Sequence, residues 1–149
     1  MLLYCCDWIA KPTDIAQAVA QEENATTPSK LRKLSIVGAK LNYLSISELF
    51  QHPRLCELEE LCLPRLESCC DEDVKGIVES LPKLHSLDLS ENNITGVGVR
   101  RIVEASPVKD LIVDSCHSIG LDAIQWARSS GLKVQHRLSE GQGCSKIRH

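Results

Sequence analysis

A ladder of aliphatic residues returns four times along the chain at nearly constant spacing. Its copies are Leu31-Arg-Lys-Leu34-Ser-Ile36, Leu58-Glu-Glu-Leu61-Cys-Leu63, Leu84-His-Ser-Leu87-Asp-Leu89 and Val108-Lys-Asp-Leu111-Ile-Val113. The steps between the middle leucines are 27, 26 and 24 residues. Self-similarity at such a period is typical of proteins whose units stack on one another and bury a shared core. The repeat therefore predicts a stacked architecture, and it favours a binding surface over an enzyme active site.

Each ladder is followed by a polar turn, an apolar pattern of helical period and a helix-breaking residue. The apolar residues recur at helical spacing as Ile46, Leu49, Phe50; Val74, Ile77, Val78; Val99, Ile102, Val103; and Ala123, Trp126, Ala127. The breakers that follow are Pro53, Pro82, Pro107 and Gly131. Neither proline nor glycine continues a helix well, so the chain turns there into the next strand. The predicted fold class is α/β: a short horseshoe-shaped solenoid with a parallel β-sheet on the concave side and helices on the convex side.

The repeats divide the chain into three parts. Residues 31–137 hold the four ladders and a terminal strand at Leu132-Lys-Val-Gln135. Residues 1–30 are predicted to be a capping or degenerate repeat, with a strand near Leu2-Leu-Tyr-Cys-Cys6 and a short helix capped by Thr13-Asp14. Such a terminal unit covers apolar surface that has no neighbour. Residues 138–149 are predicted to be a flexible tail.

The composition limits which kinds of partner the chain can bind and in which cellular compartment it is expected. The net charge of −3 argues against nucleic-acid binding, which needs a basic face. No run approaches the roughly 18 apolar residues of a membrane span. The 8 cysteines would indicate disulfides in a secreted chain, but the start, Met1-Leu-Leu-Tyr-Cys-Cys-Asp7, lacks the basic segment of a secretory signal. We therefore expect reduced thiols, a location in the cytoplasm or nucleus, and a monomer.

Alternate residues of each ladder are predicted to face outward on the concave side, because side chains alternate along a strand. The predicted partner-binding positions are Lys33, Ser35, Glu60, Ser86, Asp88, Ser90, Asp110, Asp114 and Lys133. The four acidic residues among them lie on adjacent strands. They would attract a basic segment of a partner protein. The alternative is that these positions are polar only because exposed strand positions face water.

A second set of positions is predicted to turn inward where each ladder ends. Asn92 and Cys116 stand at the ninth position of the third and fourth ladders. A buried asparagine can bond backbone groups that the turn leaves free, and a buried thiol is a weaker substitute. The first ladder has Ala39 at this position; the second has Leu66, or Glu67 if its loop carries one extra residue. We interpret these positions as structural.

Motifs for catalysis or metal binding are missing from the sequence. Cys5-Cys6 and Cys69-Cys70 are adjacent pairs, and no Cys-x-x-Cys occurs, so zinc-site spacing is absent. Asp71-Glu-Asp73 stands where a helix begins, and acidic residues there satisfy free amides and the positive end of the helix dipole. Phosphate-binding loops, nucleophile elbows and zincin motifs are also absent. We predict no enzyme activity, no cofactor and no metal site.

The fourth ladder and its loop, Val108-Lys-Asp-Leu111-Ile-Val113-Asp-Ser-Cys116 onward to Ile124, carry a family resemblance. They resemble the cysteine-containing repeats of F-box proteins, within the ribonuclease-inhibitor-like class of leucine-rich repeats. The third repeat, with Asn92 and Gly96-Val-Gly-Val99, resembles the plain ribonuclease-inhibitor type. In such F-box proteins the repeats hold a substrate while an N-terminal F-box docks onto a cullin-type ubiquitin ligase. Residues 1–30 are too few for that module.

The resemblance implies a protein-interaction module that recognises a partner or substrate through its concave sheet face. It also implies, as a partner, a cullin-type ubiquitin ligase complex. A stand-alone leucine-rich-repeat scaffold or inhibitor, with no ubiquitin link, is the alternative.

Overall fold

The computed structural model describes residues 2–4, 32–37, 50, 53–66, 69–105 and 107–138. The strands are β1 (Leu2–Tyr4), β2 (Lys33–Val37), β3 (Glu60–Cys62), β4 (Ser86–Asp88), β5 (Asp110–Ile112) and β6 (Lys133–Gln135). The helices are α1 (Asp71–Ser80), α2 (Gly96–Ala105) and α3 (Leu121–Ser129), with a 3₁₀ helix at Pro53–Glu57. Of the helix predicted in the first repeat, Phe50 alone is described, and it is buried.

The six strands form one parallel sheet in chain order, from β1 to β6. The middle leucines of the ladders are in register, since Leu34 pairs with Leu61, Leu61 with Leu87, and Leu87 with Leu111. Parallel neighbours need a crossover connection, and α1, α2 and α3 supply it between β3 and β6. The predicted α/β class with a parallel sheet is confirmed, and the arrangement is compatible with a leucine-rich-repeat fold. The N-terminal strand lies at Leu2–Tyr4 and pairs with β2; the helix predicted after it lies outside the described residues.

The core is an aliphatic layer between the sheet and the helices. The buried ladder residues include Leu34, Ile36, Leu61, Leu63, Leu87, Leu89, Leu111 and Val113, and the helices contribute Val74, Ile77, Val99, Ile102, Ile124 and Ala127. The prediction that Trp126 faces this core is wrong, because 39% of its surface is exposed. With about 3.6 residues per turn, Trp126 lies about 200° around the helix from the buried Ile124.

The helix-breaking residues act in two ways. After α3, Gly131 adopts a left-handed conformation with φ of 94°, and the N–H groups of Gly131 and Leu132 donate to the carbonyls of Arg128 (3.1 Å) and Ala127 (3.2 Å). This is a Schellman cap, which satisfies carbonyls at the helix end. Pro53 instead opens the 3₁₀ helix, since a fixed φ suits the first turn of a helix.

A left-handed residue follows β3, β4 and β5 at the same position. Arg65, Glu91 and Ser115 have φ values of 56°, 56° and 57°, which costs a residue with a β-carbon about 1–2 kcal/mol. Each of the three N–H groups donates to a carbonyl of the next unit, at Ser90 (3.0 Å), Asp114 (2.8 Å) and Arg137 (2.7 Å). The strained turns therefore link neighbouring units.

The outer edge of β6 is covered by a side chain of α3. The N–H of Lys133 and the carbonyl of Gln135 form hydrogen bonds on the side of β6 that faces β5. The backbone N–H and C=O of Val134, which lies between them, therefore point away from β5. The Arg128 guanidinium donates from Nε (3.2 Å) and Nη2 (2.9 Å) to the Val134 carbonyl. The guanidinium thus occupies this outward-facing acceptor.

Candidate functional site: the sheet face

Two rows of side chains run across β2 to β6 on the side of the sheet away from the helices. In register, the first row is Lys33, Glu60, Ser86, Asp110 and Lys133, and the second is Ser35, Cys62, Asp88, Ile112 and Gln135. We call these ten residues the sheet face. All of them are exposed or half-buried, while the residues between the two rows are buried. Of the nine predicted binding positions, Ser90 and Asp114 lie outside the rows, in the turns after β4 and β5.

The first row has a lysine at each end, an acidic residue next to each lysine, and Ser86 in the middle. Lys33 Nζ lies 2.8 Å from Glu60 Oε1, and Lys133 Nζ lies 3.8 Å from Asp110 Oδ1. Two of the four predicted acidic residues are therefore paired with lysines of the flanking strands, and Ser86 stands between them. Exposed ion pairs of this kind contribute about 0–1 kcal/mol, so a partner can exchange them at little cost.

The other two acidic side chains hold turns. Asp88 Oδ1 accepts hydrogen bonds from the N–H (2.9 Å) and hydroxyl (2.6 Å) of Ser90, which is an Asx-type turn. Asp114 Oδ1 accepts from the Arg137 N–H at 2.7 Å. A substitution at either residue changes the turn as well as the charge, so Glu60 and Asp110 are the cleaner probes of binding.

The thiol on the sheet face is a poor nucleophile. Cys62 Sγ donates to Asp88 Oδ2 at 3.4 Å, and burial, followed by the Asp88 carboxylate, raises the pKa of Cys62 to about 11. Burial likewise raises the pKa of Cys69 to about 12, and it raises that of Cys116. Within the described ranges, Cys56, Cys62, Cys69, Cys70 and Cys116 are free thiols.

These environments predict an order of alkylation. Among the five thiols of the described ranges, iodoacetamide at pH 8 is expected to modify the exposed Cys56 and Cys70 first, Cys62 more slowly, and Cys69 and Cys116 only after unfolding. The rate at Cys62 should rise about tenfold per pH unit below its raised pKa, because the thiolate is the reacting form. Peptide mass spectrometry with and without urea measures this order. Equal rates at Cys56 and Cys116 in the native protein would contradict the burial of Cys116.

Asn92 and Cys116 turn inward as predicted. Asn92 Oδ1 accepts from the Leu66 N–H (2.8 Å), and Nδ2 donates to the carbonyls of Leu63 (2.7 Å) and Leu89 (3.0 Å). Cys116 Sγ lies 3.2 Å from the Leu89 carbonyl oxygen, the counterpart of Leu63 in the next unit. Leu66 is buried at the equivalent position of the second repeat; Glu67 and Ala39 lie outside the described residues.

The acidic run at the start of α1 serves the helix and its neighbour. Asp73 Oδ2 accepts from the Cys70 N–H at 2.8 Å, which is the predicted capping role. Asp71 reaches the next unit, where it accepts from the N–H (2.9 Å) and hydroxyl (2.6 Å) of Thr95. Across the described part of the chain, no three His, Cys, Asp or Glu side chains are grouped to hold a metal ion. None of the described helices has the length and apolar character to cross a membrane.

Sequence reasoning missed a groove between α2 and α3, on the helical side. It is lined by Thr95, Gly96, Val97, Arg100, Gly120, Asp122, Ala123 and Trp126 and encloses about 650 Å³. The available signal was the pair of glycines at the two helix starts, together with a tryptophan that the helical pattern assigned to the core.

Comparisons with known proteins give partial likenesses, and no family model matches the chain. Putative F-box/LRR-repeat protein 21 of Arabidopsis thaliana is 42% identical over 53 residues, which are 35% of this chain and 17% of that protein. Another putative F-box protein of Arabidopsis thaliana is 39% identical over 61 residues, or 40% of this chain and 19% of that protein. NACHT, LRR and PYD domains-containing protein 9C of Mus musculus is 29% identical over 113 residues, or 70% of this chain and 10% of that protein.

The chain thus spans less than a fifth of the length of these relatives. Their names refer to F-box, leucine-rich-repeat, NACHT and PYD domains, which is compatible with the prediction that this chain is not an enzyme. The chain is similar to leucine-rich-repeat proteins and, over shorter stretches, to F-box proteins.

Proposed function

We propose that this chain is a protein-interaction module, a leucine-rich-repeat solenoid that recognises a partner through its sheet face. In this proposal it serves as the substrate-recognition part of an F-box-type ubiquitin ligase subunit. The observation that carries the proposal is the pair of register rows across five strands, which present ten exposed or half-buried side chains above a buried aliphatic layer. Such a surface is fixed by the core beneath it, so little ordering is required when a partner binds. The F-box names of two relatives support the ligase assignment.

The proposed partner presents a basic segment. Glu60 and Asp110 flank Ser86 on adjacent strands, and Asp88 follows Ser86 by two residues on β4. A lysine or arginine above Ser86 would lie within reach of these three carboxylates, replacing the exposed pairs with Lys33 and Lys133. Charge complementarity of this kind acts mainly on the encounter rate and on selectivity, and it weakens as salt is raised. We place this monomeric module in the cytoplasm or nucleus.

A second candidate function is a stand-alone leucine-rich-repeat scaffold or inhibitor. The mouse NACHT relative favours it, because that likeness extends over 70% of this chain and its name contains no F-box. The two candidates share the sheet face and differ in whether a ubiquitin ligase is attached.

The test compares affinity capture by three proteins from a native extract. They are the parent, the face variant Glu60→Lys/Asp110→Lys, and a charge-matched control, Glu79→Lys/Glu104→Lys, on exposed positions of α1 and α2. We expect the parent and the control to enrich the same proteins, and the face variant to lose them by at least about tenfold, equivalent to 1.4 kcal/mol. A cullin adaptor among the captured proteins supports the ligase subunit, while a stable partner without one supports the scaffold. A face variant that melts at the parent temperature and captures the same proteins equally well would rule out the sheet face.

A further inference from the structure

Among the helices that the structure describes, α2 contacts α1 at one junction and α3 at a second, and polar side chains bridge the first of these. Between α1 and α2, Asp71 accepts two hydrogen bonds from Thr95, at 2.9 and 2.6 Å. Arg101 donates to Glu72 Oε1 and to the Asp71 carbonyl, both at 2.8 Å. These contacts link the start of α1 to Thr95 and to the side chain of Arg101 on α2.

At the second junction, between α2 and α3, different residues stand at the equivalent positions. Counted from the helix starts, Gly96 of α2 is the counterpart of Asp71, Val97 that of Glu72, and Trp126 of α3 that of Arg101. An ion pair is thereby replaced by two apolar side chains, and the bridging carboxylate by a glycine. The result is the groove of about 650 Å³ between α2 and α3, with Val97 54% and Trp126 39% exposed on its walls. The first junction shows that the fold accepts charged residues here, so the apolar surface at the second is not required for packing.

One uncompensated charge lies in the groove. The Arg100 guanidinium carbon is 5.3 Å from the centre of the Trp126 ring, and among the described residues no carboxylate pairs with Arg100. The acid of the groove, Asp122, is folded over the start of α3, where its Oδ1 occupies the space that a β-carbon on Gly120 would need. There it faces the positive end of the helix dipole, which leaves the Arg100 charge for a ligand.

We propose that this groove is a docking site for an acidic, aliphatic segment of a partner protein. An aliphatic side chain of that segment packs between Val97 and Trp126, and a carboxylate pairs with Arg100. Tryptophan and arginine are enriched among the residues that dominate binding energies, and a guanidinium pairs with a carboxylate through two parallel hydrogen bonds. The site is on the helical side, so it is separate from the proposed function of the sheet face and from a basic partner there.

The test uses two fluorescently labelled, alanine-based helical peptides of about 15 residues. Both carry leucines along one face; the flanking charged positions are glutamates in the first peptide and lysines in the second. Fluorescence anisotropy is measured with the full chain and with the variants Arg100→Glu, Val97→Asp and Lys75→Glu, the last a charge-matched control on an exposed position of α1. Circular dichroism melting verifies that each variant folds.

We expect the glutamate peptide to bind the parent and the Lys75→Glu control equally. Arg100→Glu should weaken its binding by at least about tenfold and make the lysine peptide the preferred ligand, and Val97→Asp should weaken both peptides. The Glu60→Lys/Asp110→Lys variant should bind like the parent, which separates this site from the sheet face. The proposal is overturned if folded Arg100→Glu retains parental affinity, if neither peptide binds, or if sedimentation shows a dimer that Val97→Asp abolishes, since the groove would then be a contact between copies of the chain.

Discussion

Replacing Leu87 by alanine is expected to lower the free energy of unfolding by about 2–5 kcal/mol. Leu87 is 1% exposed and lies in register between Leu61 and Leu111 on the neighbouring strands. Both neighbours are held in the same buried layer, so the cavity left by the truncated side chain cannot collapse easily. The cost therefore includes lost burial and an unfilled volume.

Urea denaturation followed by circular dichroism measures this effect as a lower midpoint. Val97→Ala is the matched control, because Val97 is exposed on α2 and such positions usually change stability by less than about 0.5 kcal/mol. An unchanged midpoint for Leu87→Ala would mean that the strand register is incorrect.

Replacing Asn92 by alanine is expected to cost about 3 kcal/mol or more. The side chain is 6% exposed and satisfies the Leu66 N–H and the Leu63 and Leu89 carbonyls. Each buried polar group left without a partner costs about 1–3 kcal/mol. Two of the lost hydrogen bonds join neighbouring repeat units, because Leu63 and Leu66 precede α1 and Asn92 follows β4.

Two further variants test this explanation by urea denaturation. Asn93→Ala is the control, since its exposed side chain accepts one hydrogen bond, from Ser118 Oγ at 3.3 Å. Asn92→Cys should fall between the parent and Asn92→Ala, because Cys116 keeps one bond to the preceding unit at the equivalent position. Equal stability of Asn92→Ala and Asn93→Ala would show that the hydrogen bonds of Asn92 make no net contribution to the free energy of unfolding.

The ladders allowed the sheet, the core and the inward asparagine to be predicted, because their chemistry repeats. Leu61, Leu87 and Leu111 are buried in the same way in their units, so the repeat spacing is enough to predict their position in the core. The breakers likewise placed the helix ends, although Pro53 begins a 3₁₀ helix rather than leading directly into a strand.

The features that differ between units could not be predicted in this way. Trp126 follows the helical pattern, but it is at the edge of the apolar stripe and remains exposed in the groove between α2 and α3. The sequence pattern placed Asp88 and Asp114 among the outward-facing binding positions, but it could not show that their carboxylates hold the turns through hydrogen bonds. The left-handed turns at Arg65 and Glu91 had no glycine to indicate them, because inter-unit hydrogen bonds stabilise them instead.

Arg128, at the edge of β6, also affects how readily another chain can add to the sheet. An open strand edge is a template on which another extended chain can add. An incoming strand would need the Val134 carbonyl, to which Arg128 already donates from two nitrogens. Adding a strand must first displace this guanidinium, and the incoming strand would then lie beside a positive charge. Growth of fibrils from this edge is disfavoured for that reason. Without the guanidinium, the edge would favour the addition of a strand, because Val134 and Ile112 are residues of high β-propensity.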